Sequence, residues 1–122
     1  MSREEVPPWL REQLARFEQN QQSLQAVLAQ KQQVEMELTE VERALAELRK
    51  SPDDGVVYKS AGSLLIKTSK ADVLKDLEER RELGNTRVTV LARQETRLRE
   101  TLKEIQSKLE EAARSRGQPQ GS

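Results

Sequence analysis

The feature that most constrains this chain is a helical apolar pattern that runs almost its whole length and breaks once, near the middle. From Pro8 to Lys50 there is no glycine and, after Pro8, no proline. Apolar residues return every three or four positions at Leu10, Leu14, Phe17, Leu24, Val27, Leu28, Val34, Leu38, Val41, Leu45 and Leu48. That spacing lines one stripe of an α-helix and predicts a first helix over 8–50, about 43 residues and ~65 Å long. Pro8 suits its entrance, because an early helical position needs no amide donor. Ser51-Pro52-Asp53-Asp54-Gly55 then stops it, since proline cannot continue the hydrogen-bond ladder.

A second stripe follows the break: Leu74, Leu77, Arg81, Gly84, Val88, Leu91, Glu95, Leu98, Leu102, Ile105, Leu109 and Ala112. It predicts a second helix over 70–114, capped by Ser69 or Thr68, with Asp72 at the positive end of its dipole. Two such helices joined by a short connection fold back on each other, because each alone leaves an apolar stripe in water. One register serves both. With Leu48 opposite Leu74, outward steps pair Leu45 with Leu77, Val41 with Arg81, Leu38 with Gly84, Val34 with Val88, Val27 with Glu95, Leu24 with Leu98, Phe17 with Ile105 and Leu10 with Ala112. The poorest stretch of this seam holds Lys31, Arg81 and Gly84, and a flexible middle is expected there; Gly84 alone costs about 1 kcal/mol of helix propensity relative to alanine. Residues 1–7 and 115–122 read as flexible ends.

The segment over 51–69 contains the breaker and a different pattern. Val56, Val57 and Tyr58 are β-rich, Gly62-Ser63 supplies a turn, and Leu64, Leu65 and Ile66 resume the β-rich run. A hairpin is predicted. Alternation puts Val56 and Tyr58 on one face and Val57 on the other, with Leu64 and Ile66 opposed to Leu65, so neither face is polar throughout. A lone two-stranded hairpin with apolar residues on both faces and two open edges is marginal in water, and this chain has no further strands to offer. Other subunits should supply them, so that Val56, Val57, Tyr58, Leu64, Leu65 and Ile66 hold an oligomer together. The competing use, an exposed edge that captures other proteins by strand addition, leaves an aggregation-prone surface open.

Composition removes most other functions. Of 122 residues, 34% are hydrophobic, too few and too regularly spaced for a thick enzyme core. Lys plus Arg and Asp plus Glu both number 21, which leaves no basic stripe for a nucleic-acid backbone. With neither histidine nor cysteine, disulfides, thiol chemistry and the usual zinc sets are excluded. Carboxylates are plentiful but fall on exposed helix faces such as Glu78-Glu79-Arg80-Arg81-Glu82, with no Gly-rich phosphate loop beside them. No catalytic constellation, metal site or cofactor is expected. No apolar run approaches a membrane span, and the expectation is a soluble cytoplasmic protein without membrane or nucleic-acid partners.

The hairpin VYKSAGSLLIKTS between two equal arms, preceded by LQAVLAQKQQVEMELTEVERALAEL, resembles the β-type subunits of the archaeal prefoldin family. The resemblance spans roughly residues 9–112. It implies a mainly α fold: a long antiparallel two-helix coiled coil with a central β-hairpin that joins an intersubunit β-barrel. It also implies a heterohexamer of two α-type and four β-type subunits, acting as an ATP-independent chaperone that holds non-native clients between coiled-coil tips and passes them to a group II chaperonin. On this chain the tip falls at Trp9, Leu10, Leu14 and Phe17 of the first arm and Ile105, Leu109, Ala112 and Ala113 of the second. Such residues also close the last turns of the coiled coil, and fraying would expose them. The alternative is a coiled-coil scaffold oligomer that binds no unfolded protein.

Overall fold

The computed structural model describes residues 6–117 of the chain. The element order is α1 (Pro8–Lys50), β1 (Val57–Ala61), β2 (Leu64–Thr68) and α2 (Lys70–Gly117). The protein is mainly α, two long antiparallel helices with a central two-stranded hairpin. Of the expected flexible ends, residues 1–5 and 118–122 lie outside the described residues.

Local chemistry sets each boundary. The Pro7 carbonyl accepts from the amides of Leu10 (3.0 Å) and Arg11 (3.1 Å), so Pro8 occupies the first helical position. At the far end, the Ser51 amide and hydroxyl both donate to the Leu48 carbonyl, at 3.2 and 2.6 Å, before Pro52 ends the ladder. Ser69 is the residue that caps α2: its Oγ accepts from the Asp72 amide at 3.1 Å. The second helix runs to Gly117, three residues beyond the expected end at Arg114. Arg114, Ser115 and Arg116 tolerate the helical conformation, and Gly117 is the first residue that favours stopping it.

The chain divides into two compact units. The hairpin unit comprises residues 30–90. Val34 and Leu45 are fully buried in it, while Leu38, Val41, Leu48, Leu77 and Val88 are half-buried. Ion pairs of Arg49 with Glu78, Arg81 with Glu42 and Arg87 with Glu37 progress in opposite directions along the two helices, as an antiparallel pairing requires. Arg81, at a seam position, is half-buried, and its guanidinium pairs with Glu42 at 3.6 Å.

The terminal unit comprises the residues up to Ala29 and from Leu91 onward. Its core is Leu24, Leu91 and Ile105. Polar Glu95 sits at its seam position half-buried, bonded by Arg99 Nε at 2.9 Å one helical turn away.

Candidate functional site

The hairpin forms in the register Val57↔Thr68, Tyr58↔Lys67, Lys59↔Ile66, Ser60↔Leu65 and Ala61↔Leu64. Gly62 and Ser63 make the two-residue turn, with Gly62 at φ +61° and no positive φ at Ser63, the requirement of a type II′ turn. Val56 lies just before β1, one residue short of the strand. Pairing puts Val57, Lys59, Ala61, Leu64, Ile66 and Thr68 on one face and Tyr58, Ser60, Leu65 and Lys67 on the other.

Both faces are open. Leu65 is 72% exposed and Tyr58 58%; Val56, Leu64 and Ile66 are likewise exposed, and only Val57 among the expected assembly residues is half-buried. The sheet has two strands and so two unpaired edges. Five large apolar side chains in water on one short hairpin is a patch that calls for a partner surface.

Two lysines brace the region around the hairpin, one from β1 to α2 and one from the start of α2 to the end of α1. Lys59 Nζ lies 3.9 Å from Asp76 Oδ2, which Arg80 also approaches at 3.4 Å. Lys70, the first residue of α2 and only 9% exposed, donates to the Ser51 carbonyl at 2.6 Å and to Asp53 Oδ1 at 3.0 Å. Its ammonium therefore sits at the negative end of α1, which compensates for a cation at the start of α2. Spacing alone gave no signal for this clamp.

In the terminal unit the expected tip residues divide by exposure. Trp9 and Leu14 are 47% and 49% exposed, Ala113 is exposed, and Leu10, Phe17, Leu109 and Ala112 are half-buried. Ile105, which the register also places in the seam opposite Phe17, is 1% exposed and is a core residue of the folded helix pair. Exposed Leu83, Val90 and Met36 were not singled out by their sequence pattern, although each sits off the three-and-four stripe.

Chemically, these surfaces offer apolar area and little else. Among the described residues no group of three or more acidic, histidine or cysteine side chains is placed to hold a metal ion. No described helix is long and apolar enough to cross a membrane.

Comparison with known proteins agrees with this architecture. The prefoldin subunit family model matches residues 11–116. Prefoldin subunit beta of Thermococcus kodakarensis is 43% identical over 109 residues, which cover 89% of this chain and 93% of that one. The subunit from Archaeoglobus fulgidus is 45% identical over 106 residues, 87% of this chain and 91% of its own. The crystal structure of the prefoldin beta subunit from Thermococcus strain KS-1 superposes with a TM-score of 0.81 at 43% identity, covering 88% of this chain and 94% of that one. A second structure, the beta2 subunit of the same strain, shares the fold at a TM-score of 0.67 and 21% identity. The chain belongs to the prefoldin family, as a beta-type subunit of a non-enzymatic chaperone that assembles with other prefoldin subunits.

Proposed function

We propose that the chain assembles through its hairpin with α-type subunits and further β-type copies, two α and four β, into a cytoplasmic holdase. The assembly binds non-native proteins at the helix ends without ATP and passes them to a group II chaperonin. The observation that carries this reading is the hairpin itself, with Tyr58 and Leu65 exposed on one face and Leu64 and Ile66 on the other. Joining these hairpins gathers several arms, so that individually weak contacts at Trp9 and Leu14 act together. A non-directional apolar grip suits clients that share only their exposed apolar surface.

Suppression of aggregation of a chemically denatured test protein, without nucleotide, is the deciding experiment. The complex with an α-type partner should suppress, and the same complex carrying Trp9→Ser and Leu14→Ser should suppress markedly less. If the doubly substituted complex suppresses as well as the parent, the end residues are not the client site. An assembled complex that never suppresses is a scaffold, and the holdase reading falls.

A further inference from the structure

Along one flank of the hairpin unit runs a furrow that the hairpin alone does not account for. Two depressions, of about 400 and 450 Å³, share Ala44 of α1 and Leu77 of α2 and so form one continuous surface. One end opens onto Val56 and Tyr58 beside β1. The other is bounded by Gly84 and by Leu83, which is 62% exposed. At Gly84 the α2 backbone comes close to Leu38, which lines the furrow there in place of a side chain on residue 84.

The lining of the furrow carries Glu37, Glu40 and Glu47 on α1 and Arg80 and Arg87 on α2, so the charges nearly offset, with one carboxylate in excess, and a strongly charged ligand gains little there. A mostly apolar, extended element with at most one positive charge fits better, and β2, LLIKT, is such an element. The α2 wall from Val73 to Gly84 is ~17 Å of helix, the span of a five-residue strand. Area points the same way. The exposed parts of Val56, Tyr58, Leu64, Leu65 and Ile66 amount to on the order of 600 Å², a large share of the ~800 Å² per partner typical of a stable interface, and the furrow is continuous with them at Val56 and Tyr58.

We propose that this furrow seats the hairpin of a second copy of the chain, with the neighbour's β2, Leu64–Thr68, laid against the α2 wall. The inference rests on the reading that these subunits assemble through their hairpins, and extends that interface from the sheet onto the helices. Hairpin contact alone would leave the angle between neighbouring arms to two short strands; furrow contact fixes it.

A photo-crosslinking residue, p-benzoylphenylalanine, placed at Leu83 and separately at Tyr58, tests this in the purified chain with and without an α-type partner. The Leu83 probe should link two copies, with the adduct mapping to residues 64–68. Leu83→Glu should weaken association between copies about tenfold while leaving the thermal melt of the helices unchanged, because the side chain is mostly exposed. If the Tyr58 probe links copies but the Leu83 probe links none, or links elsewhere, the furrow assignment is wrong and hairpin assembly stands. If neither probe links and the chain remains a monomer, the assembly reading falls with it.

Discussion

Leu38 Cδ2 occupies the space that a side chain on residue 84 would need: a Cβ built on Gly84 would lie 2.6 Å from it and 3.0 Å from Leu38 Cγ. This is a contact across the seam, and it explains why a glycine tolerates a mid-helix position. The backbone of α2 approaches α1 closely enough for Leu38 to lie over it.

Two effects therefore oppose each other in Gly84→Ala. Alanine recovers about 1 kcal/mol of helix propensity, while its methyl group displaces a leucine at a cost on the order of 1–3 kcal/mol. The substitution should leave the parent unchanged or destabilised, yet stabilise a Leu38→Ala background by about 1 kcal/mol. Thermal unfolding of the four proteins measures that coupling. Equal effects in both backgrounds would show that the contact is not made.

The same region should open first. Residues 84–90, Gly-Asn-Thr-Arg-Val-Thr-Val, sum to about 4 kcal/mol less helix propensity than seven alanines. Thr86 and Thr89 also turn their hydroxyls back to the carbonyls of Glu82 and Asn85, at 3.1 and 3.0 Å, a bond that competes with the helical ladder. Hydrogen exchange should be about tenfold faster at these amides than at residues 98–109. Uniform protection along α2 would refute it.

Periodicity made the helices, the hairpin and the Leu38–Gly84 pairing legible, because the three-and-four stripe and the two-residue alternation each have a single geometric reading. What it missed depended on direction within a turn. Leu83 lies one position before the stripe, and nothing in its spacing distinguishes an exposed leucine from a seam residue one step out of phase. Ile105 carried two readings, a seam position opposite Phe17 and a place near the end of the arm, and the seam position buries its side chain. Lys70 was illegible because a lysine at a helix start has no reason to be buried until the Ser51 carbonyl is brought to it by the fold.

Lys70 should matter more than its companion Asp53. Methionine at position 70 keeps the apolar stem but removes the donor to Ser51, at a cost of about 1–3 kcal/mol. Asp53 is fully exposed and only one of two acceptors, so Asp53→Asn should shift the melting temperature much less. Comparable shifts for Lys70→Met and Asp53→Asn would mean that the carbonyl bond contributes little.

Ser69 has one capping bond to lose. Ser69→Ala should cost ~1 kcal/mol, and Ser69→Asp should restore it, since a carboxylate accepts the same Asp72 amide at the positive end of α2. Failure of aspartate to restore stability would assign the effect of alanine to something other than the cap.

At the chain ends, stability and client binding should separate. Ile105 is buried, so Ile105→Ala should cost about 2–4 kcal/mol and lower the melting temperature of the terminal unit. Below that temperature the assembled complex should still suppress aggregation, because no exposed apolar side chain has been removed. Trp9→Ser and Leu14→Ser should do the reverse. Each side chain is about half exposed and contributes at most about 1 kcal/mol to stability, but their loss should reduce suppression. Melting curves and the aggregation assay, run on the same three proteins, measure both quantities. If Ile105→Ala abolished suppression while the helices remained folded, the buried seam would have to open to hold a client, and the division drawn between core and contact surface would be wrong.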